Sequence, residues 1–421
     1  MYNLASSDID KADKEFIMHI DQFRLTRRRL LLAATAGIAA TVLPARAQHQ
    51  HGGKRAELGI SAAVDGAGTI WVASRESAGD AAFLALQSSS DNGRSWTPPR
   101  KLTAEAITAS GESRPKIAFG RQGEIFIAYT KPIAKPHVGD IRFIRSTDGG
   151  RTFSAPVTVH AHREVTTHSF ESMIVDRDGR IFIAWVDGRD ADAAKARGER
   201  YAGSAIYYAV SDDGGARFKG DYKVADHSCE CCRIGLALNL EGRPVALWRH
   251  VFAPNIRDHA MAELHANGSA SPLQRASFDD WRVDACPHQG PAHAFAGDSR
   301  RHQVWFNGKE GSGGGVQYAA FAPDGARPVP VSLGSAQAAQ ADIALQGARV
   351  AIVWKQFDGA ATAVLARRSD DGGATWQEHS LARTGGESGK PFLVHAPAGM
   401  LLVWRTEKEG IRALPVSGEK T

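Results

Sequence analysis

Four cysteines fall in two short groups, Cys229-Glu230-Cys231-Cys232 and Cys286-Pro287-His288. Three or four thiols with an imidazole suit a soft or borderline metal. Cu(I) accepts two or three sulfurs, whereas Zn(II) asks for four ligands in a closed tetrahedron. The expected ligands are Cys229, Cys231, Cys232, Cys286 and His288. Further imidazoles come from His227, His250 and the segment Gln48-His49-Gln50-His51, which supplies His49 and His51. In an oxidising compartment an even cysteine count also reads as disulfides, with Cys229 or Cys231 bridging to Cys286. A vicinal Cys231–Cys232 bridge would strain the intervening peptide. A redox-active thiol pair is the third use. No Cys-x-x-Cys-His occurs, so c-type haem attachment is not indicated.

The elements that must position these groups repeat along the chain. Gly68-Thr-Ile-Trp-Val-Ala-Ser, Gly123-Glu-Ile-Phe-Ile-Ala-Tyr and Gly179-Arg-Ile-Phe-Ile-Ala-Trp share a turn followed by a β-branched and aromatic run. Weaker copies end at Trp248, Trp305, Trp354 and Trp404. From Ser74 through Tyr129 and Trp185 onward, the end positions are spaced by 55, 56, 63, 57, 49 and 50 residues, by subtraction. Such periods mean propeller blades or arrays, and short apolar runs bounded by Gly turns mean strands. Another apolar run precedes most copies, so a blade reads as inner strand, tight turn, second strand, loop, third strand, turn and outer strand. The expected fold is all-β, a propeller of six or seven blades. Both cysteine groups directly precede an inner strand, near Ile234 and Ala292, which puts them at the axial mouth of adjacent blades. His168, Glu171 and, within its strand, His293 are expected near the same face. So are Arg114, Arg189, Arg233, Arg249, Lys309, Lys390 and Arg405.

An octet, Ser-x-Asp-x-Gly-x-x-(Trp/Phe), occurs four times: Ser89 to Trp96, Ser146 to Phe153, Ser211 to Phe218 and Ser369 to Trp376. Its carboxylates are Asp91, Asp148, Asp213 and Asp371. In each, the Asp is suited to accept backbone N–H bonds, the Gly to supply positive φ, and the aromatic to pack under the loop. The octet resembles the Asp-box, the bacterial neuraminidase repeat of sialidase-like β-propellers. That resemblance covers about residues 54–420 and concerns turns that hold the fold.

Sialidases use three arginines on the substrate carboxylate, a Tyr–Glu nucleophile pair and an Asp acid/base. Arg75 and Asp80 match where the family's first-blade Arg and acid/base Asp lie, and Glu171 is a further candidate. The departures are larger. Glu57-Leu58-Gly59-Ile60-Ser61 holds no arginine in register with the family's first, and no tyrosine follows Tyr318, itself expected in a third strand. A two-carboxylate glycosidase through Asp187, Asp190 or Glu171 stays open, with no separation fixed.

Residues 1–47 read as an N-terminal extension and signal. Thr26-Arg27-Arg28-Arg29-Leu30-Leu31 looks like a twin-arginine signal, and Ala45-Arg46-Ala47 like its cleavage site. Met18 sits where such signals begin, which leaves the start at Met1 or Met18 open. A mobile His-containing segment, 48–53, and a propeller, 54–421, would follow. Lys and Arg exceed Asp and Glu by five over 421 residues, part of that excess within the signal. With no dense basic run interleaved with aromatics, nucleic acid is not an expected partner. Nor is a membrane, once the signal is cleaved. The leading expectation is a periplasmic or secreted copper-binding protein, zinc being the other metal, working with other periplasmic metal-handling proteins. The alternatives are a sialidase-like exo-glycosidase braced by disulfides, or a non-catalytic glycan- or protein-binding propeller, either one with an acidic sugar as ligand.

Overall fold

The computed structural model describes residues 58–78, 81–108, 112–133, 138–285, 287–311, 313–397 and 399–417. The expected signal (residues 1–47), His49, His51, Asp80 and Cys286 lie outside them. Residues 54–421 form one compact unit.

Each β-branched run pairs with the apolar run before it in an antiparallel hairpin, and the pairing continues outward into seven separate sheets. The inner strands are Ile60–Val64, Lys116–Phe119, His168–Val175, Gly235–Leu238, Ala292–Phe295, Ala338–Gln346 and Phe392–Ala396. Each contacts its two neighbours, and the first contacts the last, so the ring is closed. The protein is a seven-bladed propeller, which settles the count of six or seven. Blades 1 to 6 have four strands, and blade 7 has three among the described residues.

The repeat predicts the core well. Tyr129, Trp185, Trp248, Trp305, Trp354 and Trp404 lie fully buried within their second strands, with Ser74 in the same place in blade 1. Apolar clusters fill the gaps between blades. Phe182, Val186, Ile206, Ile234 and Trp248 join blades 3 and 4, and Ile60, Val72, Phe392, Leu401 and Val403 join blade 7 to blade 1. A propeller thus hides its sheet faces on one another.

The four octets sit between third and fourth strands and share one hydrogen-bond pattern. In blade 2, Ser146 Oγ donates to Asp148 Oδ1 at 2.8 Å and accepts the Gly150 N–H at 2.9 Å. Thr152 N–H and O–H both donate to the Asp148 carboxylate. Gly149 and Gly150 have φ of 71° and 80°, the left-handed region an L side chain avoids. A Cβ on Gly150 would stand 3.2 Å from Trp71 of the preceding blade, so the turn is seated against its neighbour.

One element has no counterpart in the repeat. After Asp187 the chain forms a short helix, Arg189–Ala196, before blade 3 resumes. Among the described residues, no helix is long and apolar enough to cross a membrane.

Candidate functional site

Where the inner strands converge, a cavity of about 250 Å³ lies on the axis, lined by side chains from six blades. Blade 2 contributes Arg114 and Lys116, blade 3 Ser172, blade 4 Arg233, blade 5 His293, blade 6 Asp342 and blade 7 Lys390. Glu171 and Glu112 stand behind this lining, fully buried. A bulge aims Glu171: Ala184 pairs with Ser172 and Val186 with Ser169, leaving Phe170 and Glu171 between them.

These groups hold one another. Arg233 Nε lies 3.0 Å from Glu112 Oε2, while its Nη1 and Nη2 donate to the carbonyls of Pro291 and Ala341. Lys390 Nζ lies 3.2 Å from Asp342 Oδ1, and Leu393 N–H donates to the other oxygen at 2.9 Å. Thr130 Oγ1 donates to Glu171 Oε2 at 2.7 Å, and Lys116 Nζ to the Arg114 carbonyl at 2.7 Å. Not every group is matched. Arg114 lies over the Phe392 ring, with Nε and Nη1 buried and lacking a hydrogen-bond partner among the described residues. Glu112 Oε1 and Glu171 Oε1 are in the same position.

Four cations thus face three carboxylates across a small cavity. Burial pushes the Lys116 ammonium down to about 7, opposed by Glu171, and Lys390 also to about 7, with the Arg233 charge adding to burial. Burial raises Glu171, with Lys116 and Thr130 opposing. Buried Asp342 is nevertheless lowered, because Lys390 and Arg233 outweigh the cost of burial. With both lysines protonated the site is one negative charge short, and two of its unmatched donors belong to Arg114, whose guanidinium is the group best shaped for a carboxylate.

Cys229, Cys231 and Cys232 do not line this cavity, contrary to the expectation from strand order, and Cys286 lies outside the described residues. Cys229, Cys231 and Cys232 cross from blade 3 to blade 4 just before Arg233, and their side chains turn away into the protein. Their sulfurs form a buried triangle with sides of 3.6, 3.6 and 3.9 Å. Burial holds the Cys232 thiol up at about 12, with the Cys229 hydrogen bond adding to it. A disulfide needs about 2.05 Å, so no pair within the triangle is bonded. His288 has a φ of 51°. His227 lies tilted against Tyr201 at 4.7 Å, and His250 packs edge-on to Phe252 at 4.5 Å. Neither joins the sulfur triangle as a close ligand atom.

The other expected residues are dispersed. Arg75 Nη1 donates to Ser77 Oγ at 3.0 Å on blade 1, and Arg75 is not among the residues lining the cavity. Asp187 binds Trp185 and Arg189, and Asp190 binds Tyr207 and Lys223. Neither Asp187 nor Asp190 is among the residues lining the axial cavity. Tyr318 lies in a third strand, as expected, and binds His302 Nδ1 at 2.8 Å beneath the fourth octet. Arg249, Lys309 and Arg405 are committed to protein partners.

Two features were not read from the sequence. Lys116 is the first residue of an inner strand, and its apolar neighbours mask it in a strand pattern. The second is a pair of stacked imidazoles, His160 and His168, 3.8 Å apart beside Asp140. Ile141 N–H donates to His160 Nε2 while His160 Nδ1 faces the His162 carbonyl, so the lone pair is used within the fold. Burial lowers His160, and burial with the His160 charge lowers His168 to about 4. A larger cleft of about 360 Å³ lies between the octet turns of blades 1 and 2. Of its two arginines, Arg100 is spent on the carbonyls of Gly150 and Arg151, and Arg151 Nε donates to the Asp148 carbonyl.

No protein-family model and no curated protein matches the chain. Solved structures do. An ulvan lyase of a polysaccharide lyase family aligns with a TM-score of 0.53 at 12% identity, over 86% of this chain and 94% of that one. A Hadza microbial sialidase aligns at 0.50 and 13% identity, over 86% of this chain and 66% of that one. A Penicillium chrysogenum α-L-arabinanase aligns at 0.45 and 12% identity, over 85% and 91%. The fold is that of the sialidase-like propellers. At these identities the likeness is one of architecture alone.

Proposed function

We propose that this protein is a sialidase-like propeller that binds an acidic saccharide at its axis. The carboxylate of a uronic or nonulosonic acid residue would sit against Arg114, with Lys116, Arg233 and Lys390 supplying the surrounding positive charge. One observation carries the reading: a lined axial cavity in which buried Arg114 keeps two N–H groups without hydrogen-bond partners among the described residues. Leaving such donors unpaired is costly, and a carboxylate would satisfy them. That two of the neighbours named above are a polysaccharide lyase and a sialidase agrees with a carbohydrate ligand. Copper handling, which the cysteine spacing favours, draws no support from this cavity.

The test is calorimetric titration of the full chain with oligogalacturonate, sialyllactose and ulvan fragments, with neutral arabinan as control. Binding confined to the acidic glycans is expected. Arg114→Gln should weaken it about tenfold or more, the size of one charge-assisted hydrogen bond. Equal binding of neutral glycan, or none of the acidic ones, would refute the assignment.

A further inference from the structure

We propose that Cys229, Cys231 and Cys232 bind a single Cu(I) ion through their three sulfurs, at a site separate from the axial cavity. The segment that carries them is held at both ends. Cys229 N–H donates to the Arg249 carbonyl at 2.9 Å, and Val251 N–H to the His227 carbonyl at 2.7 Å. Ser228 bridges to His250, and the inner strand of blade 4 begins at Gly235. All three sulfurs are therefore placed by backbone already fixed in the fold, the condition a preorganised ligand set requires.

The dimensions fit a metal. Two sulfurs bound to one ion at about 2.3 Å in tetrahedral geometry lie about 3.8 Å apart. The observed sides, 3.6, 3.6 and 3.9 Å, bracket that value. The centre of the same triangle is about 2.1 Å from each sulfur, room for a trigonal ion instead. Soft donors select the metal: three thiols gather here, and among the described residues no imidazole nitrogen or carboxylate oxygen completes the group. An all-thiolate group is the soft donor set that suits Cu(I), which two or three sulfurs satisfy.

Two surroundings independent of the cysteines point the same way. Arg249, 1% exposed, lies within electrostatic reach of Cys232. Its N–H groups donate to the carbonyls of Arg257, Gln289 and Phe306, and its face rests on Trp281. A buried cation bound to neutral carbonyls complements a centre that becomes anionic once the thiols ionise. Phe170 is a bulky residue at φ 56°, in the bulge that also aims Glu171, and its ring covers the thiols. Backbone strain of that kind is retained where the surroundings dictate it.

Binding is a proton exchange with no change of oxidation state. Three S–H bonds release three protons to solvent, and three Cu–S bonds form to one Cu(I) ion, leaving a centre of charge −2. The experiment is an anaerobic titration of the reduced full chain with Cu(I) against bicinchoninate, followed by X-ray absorption at the copper edge. One tightly held copper with a sulfur-only shell of at least three atoms is expected. Cys232→Ser should weaken binding roughly 100-fold or more while the metal-free protein keeps its circular dichroism and melting curve. If that variant does not fold, protection of Cys229, Cys231 and Cys232 from iodoacetamide by Cu(I) in the wild type gives the same answer. Less than one equivalent bound, nitrogen or oxygen in the shell, or no protection of the three thiols would overturn the proposal. None of these outcomes depends on the axial cavity.

Discussion

At the scale of single residues, the two axial lysines give opposite pH signatures for binding and for stability. Lys116 and Lys390 sit near 7 in the folded chain, against 10.5 for an ordinary lysine. Between those values the unfolded chain holds protons the native one has shed, so raising the pH stabilises the fold across that window. Below about 7 both states are charged and the burial penalty is in full force. Affinity for an acidic glycan should move the other way, falling as pH rises through 7 and the ammonium charges are lost. Urea midpoints and calorimetric titrations from pH 6 to 9 would show both trends, and Lys390→Met should flatten each. Parallel movement of the two curves would mean these lysines do not titrate in the cavity. Arg114, Arg233 and Lys390 were legible in the sequence as cations ahead of inner strands. Lys116 was hidden by the apolar run it opens, and Asp342 by an alanine-rich one.

At the scale of the element, the turn and the second strand each make a measurable claim. Ser146 is buried and serves both as donor to Asp148 and as acceptor for Gly150 N–H. Ser146→Ala would strand that buried amide and cost about 1–3 kcal/mol, read from urea denaturation. A loss below about 0.5 kcal/mol would show that water replaces the hydroxyl. Trp248 is 1% exposed and packs into the cluster between blades 3 and 4. Trp248→Ala should remove about 3–5 kcal/mol, through lost burial and the cavity left behind. Both elements were readable beforehand, because each octet carries its own hydrogen-bond partners within a few residues. The helix Arg189–Ala196 was not, since its polar composition gave no apolar stripe to announce it.

At the scale of the whole molecule, stability rests on closing the ring. Blade 7 meets blade 1 through Leu401, Val403 and Phe392 against Ile60 and Val72, an interface with no covalent link between its halves. Leu401→Ala should cost about 2–5 kcal/mol. Hydrogen exchange should show the loss first in the strands Ile60–Val64 and Phe392–Ala396. Uniform loss across all seven blades would mean instead that the propeller opens as one unit.

Strand, turn and repeat were determined by the sequence itself, because each is set by neighbours within one blade: a Gly turn, a β-branched run, a Ser–Asp pair two residues apart. Seven copies of such a unit can hide their faces only on one another, so the propeller follows. What meets at its centre was decided by tertiary structure. Arg114, Arg233, Asp342 and Lys390 are far apart in the chain and come together when the ring closes. Strand order placed the cysteines at the same mouth, but it carries no information on which way a side chain turns. The backbone leading into blade 4 turns the three sulfurs inward to each other and presents Arg233, the next residue, to the axis.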